Sequence, residues 1–156
     1  MNNVILQCIG AFVGCFGFAF IYRIHSNMKL AFFAAFNGLI TIFVYNLFSF
    51  TNNIFLQNFI GMFAGALLAE YLARYFKAPA TIFITVGCFP LVPGRGIYMT
   101  MLYALRGMND LFIKSFIETV GIAMSLALAI LVTSTIILIY RQIKTHPDVF
   151  FKEPFE

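Results

Sequence analysis

The sequence predicts an all-α membrane protein, a polytopic helix bundle of about five spans in which the fourth span is broken. Of the 156 residues, 62% are hydrophobic and only 10% are charged, which is much less charge than a soluble domain carries. The apolar residues also form continuous runs of about 20, the length that crosses a hydrocarbon core of about 30 Å. A membrane β-barrel would instead show alternating segments of about 10 residues.

Polar and turn-forming stretches divide the chain into these spans. They lie at 23–29, at 51–53, at Lys77 to Pro79, where proline cannot extend the preceding helix, and at 106–110. No stretch is long enough for a soluble domain, so we expect one integral membrane domain with a polar tail. The domain is 1–156, the predicted spans are 4–22, 30–50, 54–76, 80–105 and 113–140, and the tail is 141–156.

The fourth span contains two prolines and two glycines between Pro90 and Gly96, which should break a helix. Broken helices place half-helix ends near the bilayer midplane, where the unpaired backbone groups must face protein or a water-filled cavity. The amides at the start of the second half-helix, together with Arg95, would suit a carboxylate. The other interpretation, a proline kink that serves packing, stays open. The predicted substrate-binding residues are Pro90, Pro93, Gly94, Arg95, Gly96 and Tyr98.

Ionisable side chains in the apolar runs each have two interpretations. Arg95 would cost about 2.5–3.5 kcal/mol in lipid on insertion scales, so it would either pair with an anion or extend to the interface. Glu70 precedes Arg74 by four residues, the favourable order for an ion pair. That arginine would neutralise Glu70, or Glu70 would carry a proton during transport. Glu118, closer to a membrane boundary, is the second candidate for proton coupling.

Small residues at four-residue spacing let helices approach closely. The third span has such a row for helix packing, Gly61, Gly65 and Ala69, and similar rows begin at Gly10 and Gly121. These rows would pack within the chain or against another subunit, and both interpretations stay open.

Other classes of site have little support in the sequence. The three cysteines lie in apolar stretches without a CxxC pair, and the two histidines have no partner at a metal-ligand spacing. We therefore expect neither a metal nor a cofactor. Ser and Thr residues lack a His/Asp constellation, which argues against an enzyme. The absence of a dense basic run argues against nucleic acid, in spite of the net charge of +4.

The basic residues predict the orientation of the chain. With five spans, seven Lys and Arg residues fall on one side of the membrane and two on the other. By the positive-inside rule the N-terminus is outside and the C-terminal tail is cytoplasmic. A re-entrant hairpin at 80–105, the alternative to a broken span, would change this count. The first group is Arg23, Lys29, Arg74, Lys77, Arg141, Lys144 and Lys152, and the second is Arg106 and Lys114.

The fourth span and the loop before it have a characteristic order of residues. The sequence reads Ala-Pro-Ala-Thr-Ile-Phe at 78–83 and Gly-Cys-Phe-Pro-Leu-Val-Pro-Gly at 87–94. In this stretch, in length and in span number, the chain resembles the threonine/serine exporter (ThrE) family, and specifically the short YjjB-type form that matches the C-terminal membrane half. The cation at Arg95 departs from the small or apolar residue that the family often has there. The matching residues are Pro79, Pro90, Pro93, Gly94 and Tyr98.

The resemblance implies a subunit of an exporter in the bacterial cytoplasmic (inner) membrane. The family's substrates are small hydroxy amino acids, or dicarboxylates such as succinate. The short form would act in membrane lipid with a second subunit that resembles the N-terminal half of the family, as a hetero- or homo-oligomer. The alternative is a structural or assembly subunit that holds a partner without contacting solute.

Overall fold

The computed structural model describes residues 2–21 and 28–145, and every regular element in these two ranges is a helix. Short 3-10 turns at Phe48–Thr51 and Phe89–Leu91 follow the second and fourth helices. Tyr22 of the predicted first span and residues 146–156 of the predicted tail lie outside the described residues. The α-helices are α1 (Asn2–Ile21), α2 (Met28–Leu47), α3 (Ile54–Phe76), α4 (Ala80–Cys88), α5 (Gly94–Leu105) and α6 (Asn109–Thr145).

Four of the described helices, α1, α2, α3 and α6, are long and apolar enough to cross a membrane. The segments Ala80–Leu91 and Gly94–Leu105 form a fifth candidate span that is bent by 54°. The proline at position 93 cannot donate a backbone hydrogen bond, so the helix cannot continue unchanged through this point. The prediction of an all-α bundle of about five spans with a broken fourth span is confirmed.

Local capping explains where α3 begins and ends. The side chain of Asn53 accepts hydrogen bonds from the amides of Phe55 and Leu56, at 3.1 and 3.4 Å, which satisfies donors that the first helical turn leaves free. At the other end Lys77 adopts a left-handed conformation with φ 50°, and Pro79 precedes α4. The chain therefore reverses within three residues, and α4 packs back against α3.

The helices pack around α3, which contacts α2, α4 and α6, while α1 lies against α2. Small side chains make these contacts close, since most of the buried residues of α2 and α3 are Ala or Gly. One buried cluster joins all four helices from α1 through α4, around Phe83 and Val86. A second cluster joins α3 and α6 to Leu91. The joint between α4 and α5 therefore starts from a tightly packed part of the bundle.

Helix α6 runs parallel to α3 but begins well before it. A Cβ atom on Gly121 would meet the ring of Phe55, at the start of α3, and Arg141 lines a cavity together with Arg74, near the end of α3. The 12 residues that separate Asn109 from Gly121 therefore extend about 18 Å past the start of α3, at 1.5 Å per residue. The predicted span 113–140 is shorter than α6 because charged residues end an apolar run without ending a helix.

Helix α5 packs on this extension of α6 in the antiparallel direction. A Cβ atom on Gly96 would meet the side chain of Thr119, and one turn further along, the hydroxyl groups of Thr100 and Ser115 are hydrogen-bonded at 3.0 Å. We call residues 94–120 the α5–α6 hairpin. It projects from the end of the bundle at which α3 begins.

Candidate functional site

The joint between α4 and α5 packs against the glycines of two neighbouring helices. The Cβ position of Gly61 lies 3.4 Å from a methyl group of Leu91, and that of Gly38 lies 3.5 Å from the ring of Pro90. Leu91 is buried, whereas Val92 is about half exposed. The joint is therefore sheltered on the side of α2 and α3 and open on the other side.

Helix α5 begins with free backbone donors. Its first hydrogen bond runs from the amide of Ile97 to the carbonyl of Pro93 at 3.0 Å. The amides of Arg95 and Gly96 come earlier in this first turn, where a helix has no carbonyl of its own to offer. Such donors attract an anion, and the helix dipole adds to the attraction.

A groove of about 530 Å³ opens beside this joint, between α5 and α6. We call it the charged groove because Arg95, Lys114 and Glu118 all line it. Ser115 and Thr119 add hydroxyl groups to the same wall. Two cations and one carboxylate give the lining a small net positive charge, and the volume lies within the range of small-molecule sites, about 300–1,000 Å³.

The floor of the charged groove is apolar and lies at the end of the bundle. Ile54, the first residue of α3, and Ile122 of α6 form part of this floor. The groove is therefore level with the start of α3 and not with its middle, which differs from the midplane position expected from the sequence. The difference arises because α5 and the start of α6 project beyond α3.

Hydroxyl hydrogen bonds fix the two walls of the groove. The hydroxyl of Thr100 donates to the carbonyl of Gly96 at 2.8 Å, and the hydroxyl of Thr119 donates to the carbonyl of Ser115 at 2.7 Å. Each bond turns a polar side chain back onto its own helix. The two walls approach closely where Gly96, which has no Cβ, meets Thr119. Arg95, Lys114 and Glu118 are exposed, whereas Ser115 and Thr119 are partly buried.

A second cavity, of about 410 Å³, lies at the opposite end of α3. Glu70, Arg74 and Lys77 of α3 and its cap line it, and Arg141 of α6 completes the charged lining. We call it the cationic cavity, since three basic residues and one acidic residue line it. Glu70, predicted as a proton-coupling residue, thus lies apart from the charged groove.

The structure brings only part of the predicted site together. Pro93, Arg95, Gly96 and Glu118 line the charged groove. Pro90 packs toward Gly38, a Cβ atom on Gly94 would have no atom within 4 Å, and Tyr98 is 64% exposed without lining the groove. A substrate role for each of these residues stays a prediction.

Apart from Glu118, sequence reasoning missed the contribution of α6 to this groove. Leu111, Ser115, Glu118 and Ile122 follow one another at three- and four-residue spacing and all line the groove. That spacing places side chains on one helix face. The mixture of charged and apolar residues before the last long apolar run was the available signal, because a lipid-facing helix surface would not alternate in this way.

The row of small residues on α3 lies against α2. A Cβ atom on Gly65 would meet the side chain of Thr41, and one on Gly61 would come within 3.2 Å of the carbonyl of Thr41. Ala69, the next member of the row, is fully buried in the cluster shared by α1 to α4. Across the described residues, no three His, Cys, Asp or Glu side chains come together in a group that could hold a metal ion.

An all-helical bundle with four helices long and apolar enough to cross a membrane, and a bent helix pair as a fifth candidate, defines a polytopic membrane protein. Comparison with protein families gives the particular assignment. The chain belongs to the Threonine/Serine exporter, ThrE, family, whose model matches residues 7–136. The resemblance seen in the sequence is therefore confirmed. Searches of curated proteins and of solved structures found no match.

Proposed function

We propose that this chain is a subunit of an exporter for small carboxylate-bearing metabolites, and that it carries out no catalytic step. The family match gives the exporter class. The observation that carries the proposal further is the charged groove, in which Arg95, Lys114 and Glu118 come from two helices into one cavity beside a broken span. A buried tunnel or a cofactor is not needed for this chemistry.

The charges of the groove favour a hydroxy amino acid over a dicarboxylate. Threonine and serine each carry a carboxylate, an ammonium group and a hydroxyl group. Arg95 and the amides of α5 would bind the carboxylate, while Glu118 would bind the ammonium group. A dicarboxylate such as succinate would meet Arg95 and Lys114 favourably but would be repelled by Glu118. Succinate is therefore the second candidate substrate.

The groove is proposed as the outer part of the export route. We place the chain in the bacterial cytoplasmic (inner) membrane with its N-terminus outside and its C-terminus cytoplasmic, because basic residues concentrate at the other end of α3. Helix α6, with 37 residues, is about 55 Å long, so it exceeds a hydrocarbon core of about 30 Å. The α5–α6 hairpin would thus reach the external interface, where Glu118 and Lys114 contact water.

We propose Glu118 as the first candidate for the residue that couples export to proton transfer. Glu118 lines the same groove as Arg95, so its protonation would change the charge that a substrate meets. Glu70 remains the second candidate, at the cytoplasmic end of the route, with three basic residues around it. We further propose a second subunit resembling the N-terminal half of the family, which would cover the other side of the route in a hetero- or homo-oligomer.

The decisive experiment separates transport from a purely structural role. The chain is co-expressed with the proposed second subunit in cells loaded with threonine, serine or succinate, and the extracellular solute is measured. Arg95→Ala should lower export at least tenfold, about the 1.5–3 kcal/mol that one charge-assisted hydrogen bond contributes, without lowering the amount of assembled protein. Arg106→Ala is the matched control, since Arg106 ends α5 and does not line the groove.

Three results of this experiment are informative. Loss of export in Arg95→Ala alone supports a solute-binding groove. Normal export by an assembled Arg95→Ala protein would instead favour the structural or assembly role, as would an equal loss in both variants. Greater export of succinate than of threonine would reverse the order of the two candidate substrates.

A further inference from the structure

The cationic cavity has basic side chains that the proposed coupling role of Glu70 does not explain. It lies where α3 ends, α4 begins and α6 passes them, and three basic side chains line it: Arg74, Lys77 and Arg141. Glu70 supplies the carboxylate of the lining, and Arg74 and Lys77 alone outnumber it by one positive charge. Such an excess favours an anionic ligand that approaches from outside the bundle.

The backbone of the cavity also favours an anion. The amide of Ala78, just after the end of α3, is not free, because it donates to the carbonyl of Ala73 at 3.0 Å. Helix α4 begins beside this closed end, and Pro79 provides no side-chain cap for it. Its first backbone bond is from Ile82 to Pro79, at 3.2 Å. The amide of Ala80, which lines the cavity, therefore belongs to the free donors of this turn.

The surroundings of the cavity are those of a membrane interface. Helix α3 has 23 residues and is about 34 Å long, close to the thickness of a hydrocarbon core. Its last two turns expose Tyr71 and Tyr75, and α6 exposes Tyr140 beside Arg141. Tyrosine collects at the level of lipid headgroups, with its ring in the apolar region and its hydroxyl in water.

We propose that the cationic cavity binds the phosphate of an anionic phospholipid. The phosphate oxygens would contact Arg74 and Lys77, and the acyl chains would lie along the exposed apolar residues of α3 and α6, which include Leu67, Ile139 and Ile143. Basic pockets between membrane helices on the cytoplasmic side are known to hold anionic headgroups. The proposal does not depend on export, because the cavity and the charged groove lie at opposite ends of α3.

The first test measures lipid retention. The purified full chain is taken from nanodiscs that contain equal amounts of phosphatidylglycerol and phosphatidylcholine, and the lipids that remain bound are counted by native mass spectrometry. Wild type should retain phosphatidylglycerol in clear excess, and the excess should fall about fivefold for each basic residue removed in Arg74→Gln and Lys77→Gln. Lys29→Gln is the matched control, since Lys29 is an exposed cation at the same end of the bundle that does not line the cavity.

A substitution that removes the negative charge, and not a positive one, keeps the test valid if the basic variants fold poorly. Glu70→Gln removes the carboxylate from the lining, so it should increase the retained phosphatidylglycerol. No excess of phosphatidylglycerol on wild type, or an equal loss in Lys29→Gln, would overturn the proposal. Unchanged or lower retention in Glu70→Gln would also count against it.

The second test distinguishes a lipid from a soluble anion. The melting temperature of the full chain is measured in phosphatidylcholine nanodiscs with and without millimolar inorganic phosphate, and again in phosphatidylglycerol nanodiscs. A rise with phosphatidylglycerol alone, absent from Arg74→Gln, supports a headgroup site. An equal rise with inorganic phosphate would show a general anion site and would overturn the lipid assignment.

Discussion

The two halves of the broken span have different environments. Helix α4 buries Phe83, Val86 and Gly87 and contacts α1, α2 and α3. Helix α5 has no buried residue in the described part of the chain and packs mainly on α6. The first half therefore holds the span in the bundle, and the second half forms one wall of the charged groove. Substitutions in α4 should change stability, whereas substitutions in α5 should change transport.

Two glycines, one in each half of the broken span, test the difference between α4 and α5. Of the predictions made here, this one has the largest expected effect on stability. A Cβ atom on Gly87 would meet the amide group of Asn37, which has little room to move, whereas one on Gly94 would have no atom within 4 Å. Gly87→Ala should therefore destabilise the protein by about 1–3 kcal/mol through overpacking. Gly94→Ala should leave stability unchanged. Unfolding of the purified protein in mixed micelles measures both values.

For export, the order of the two glycine variants should be reversed, with the larger loss in Gly94→Ala. Gly94 opens α5 beside the free amides that we propose as carboxylate donors, so an added methyl group there should lower export in an assembled protein. Normal export by Gly94→Ala, with normal protein levels, would show that solute does not approach the start of α5. A stability loss in Gly94→Ala equal to that in Gly87→Ala would remove the distinction between the two halves.

The two carboxylates at opposite ends of α3 offer a second comparison. If Glu118 carries the coupling proton, Glu118→Gln should remove most of the pH dependence of export, because the amide cannot bind and release a proton in that range. Glu70→Gln, in the cationic cavity, should retain that dependence. Export by reconstituted protein is measured across a range of external pH values. A flat profile in Glu70→Gln and a normal one in Glu118→Gln would exchange the two roles.

The sequence was sufficient to predict the approximate number of spans and the break. Continuous apolar runs of about 20 residues have few solutions other than membrane helices, and two prolines near two glycines leave a helix little chance to continue. The 54° bend could not be predicted, because it depends on how Leu91 and Pro90 pack against glycines of α2 and α3.

The site was predictable only in part for a related reason. Arg95 and Glu118 stand 23 positions apart in the sequence, and only the docking of α5 on α6 brings them to one groove. That docking depends on small local features, such as the fit of Thr119 against Gly96. The separation of Glu70 from Glu118 likewise follows from the register of α6 along α3, which no local pattern of residues specifies.

The smallest expected effect concerns a hydrogen bond that holds α4 to α2. The side-chain amide of Asn37 donates to the carbonyl of Phe83 at 3.0 Å, while its oxygen is buried without a hydrogen-bond partner among the described residues. Asn37→Ala would remove a bond worth about 0.5–1.5 kcal/mol, but it would also remove a buried acceptor that is unfavourable when unpaired.

The net loss of stability for Asn37→Ala should therefore be about 1 kcal/mol or less, smaller than that of Gly87→Ala. Asn46→Ala is the control, because the amide of Asn46 donates at 2.9 Å to the carbonyl of Ile42 within its own helix and should contribute little to packing between helices. Both variants are compared by their melting temperature in detergent. A loss of several kcal/mol in Asn37→Ala would mean that its oxygen makes a favourable contact in the membrane, and that α4 is held by more than the packing of small residues.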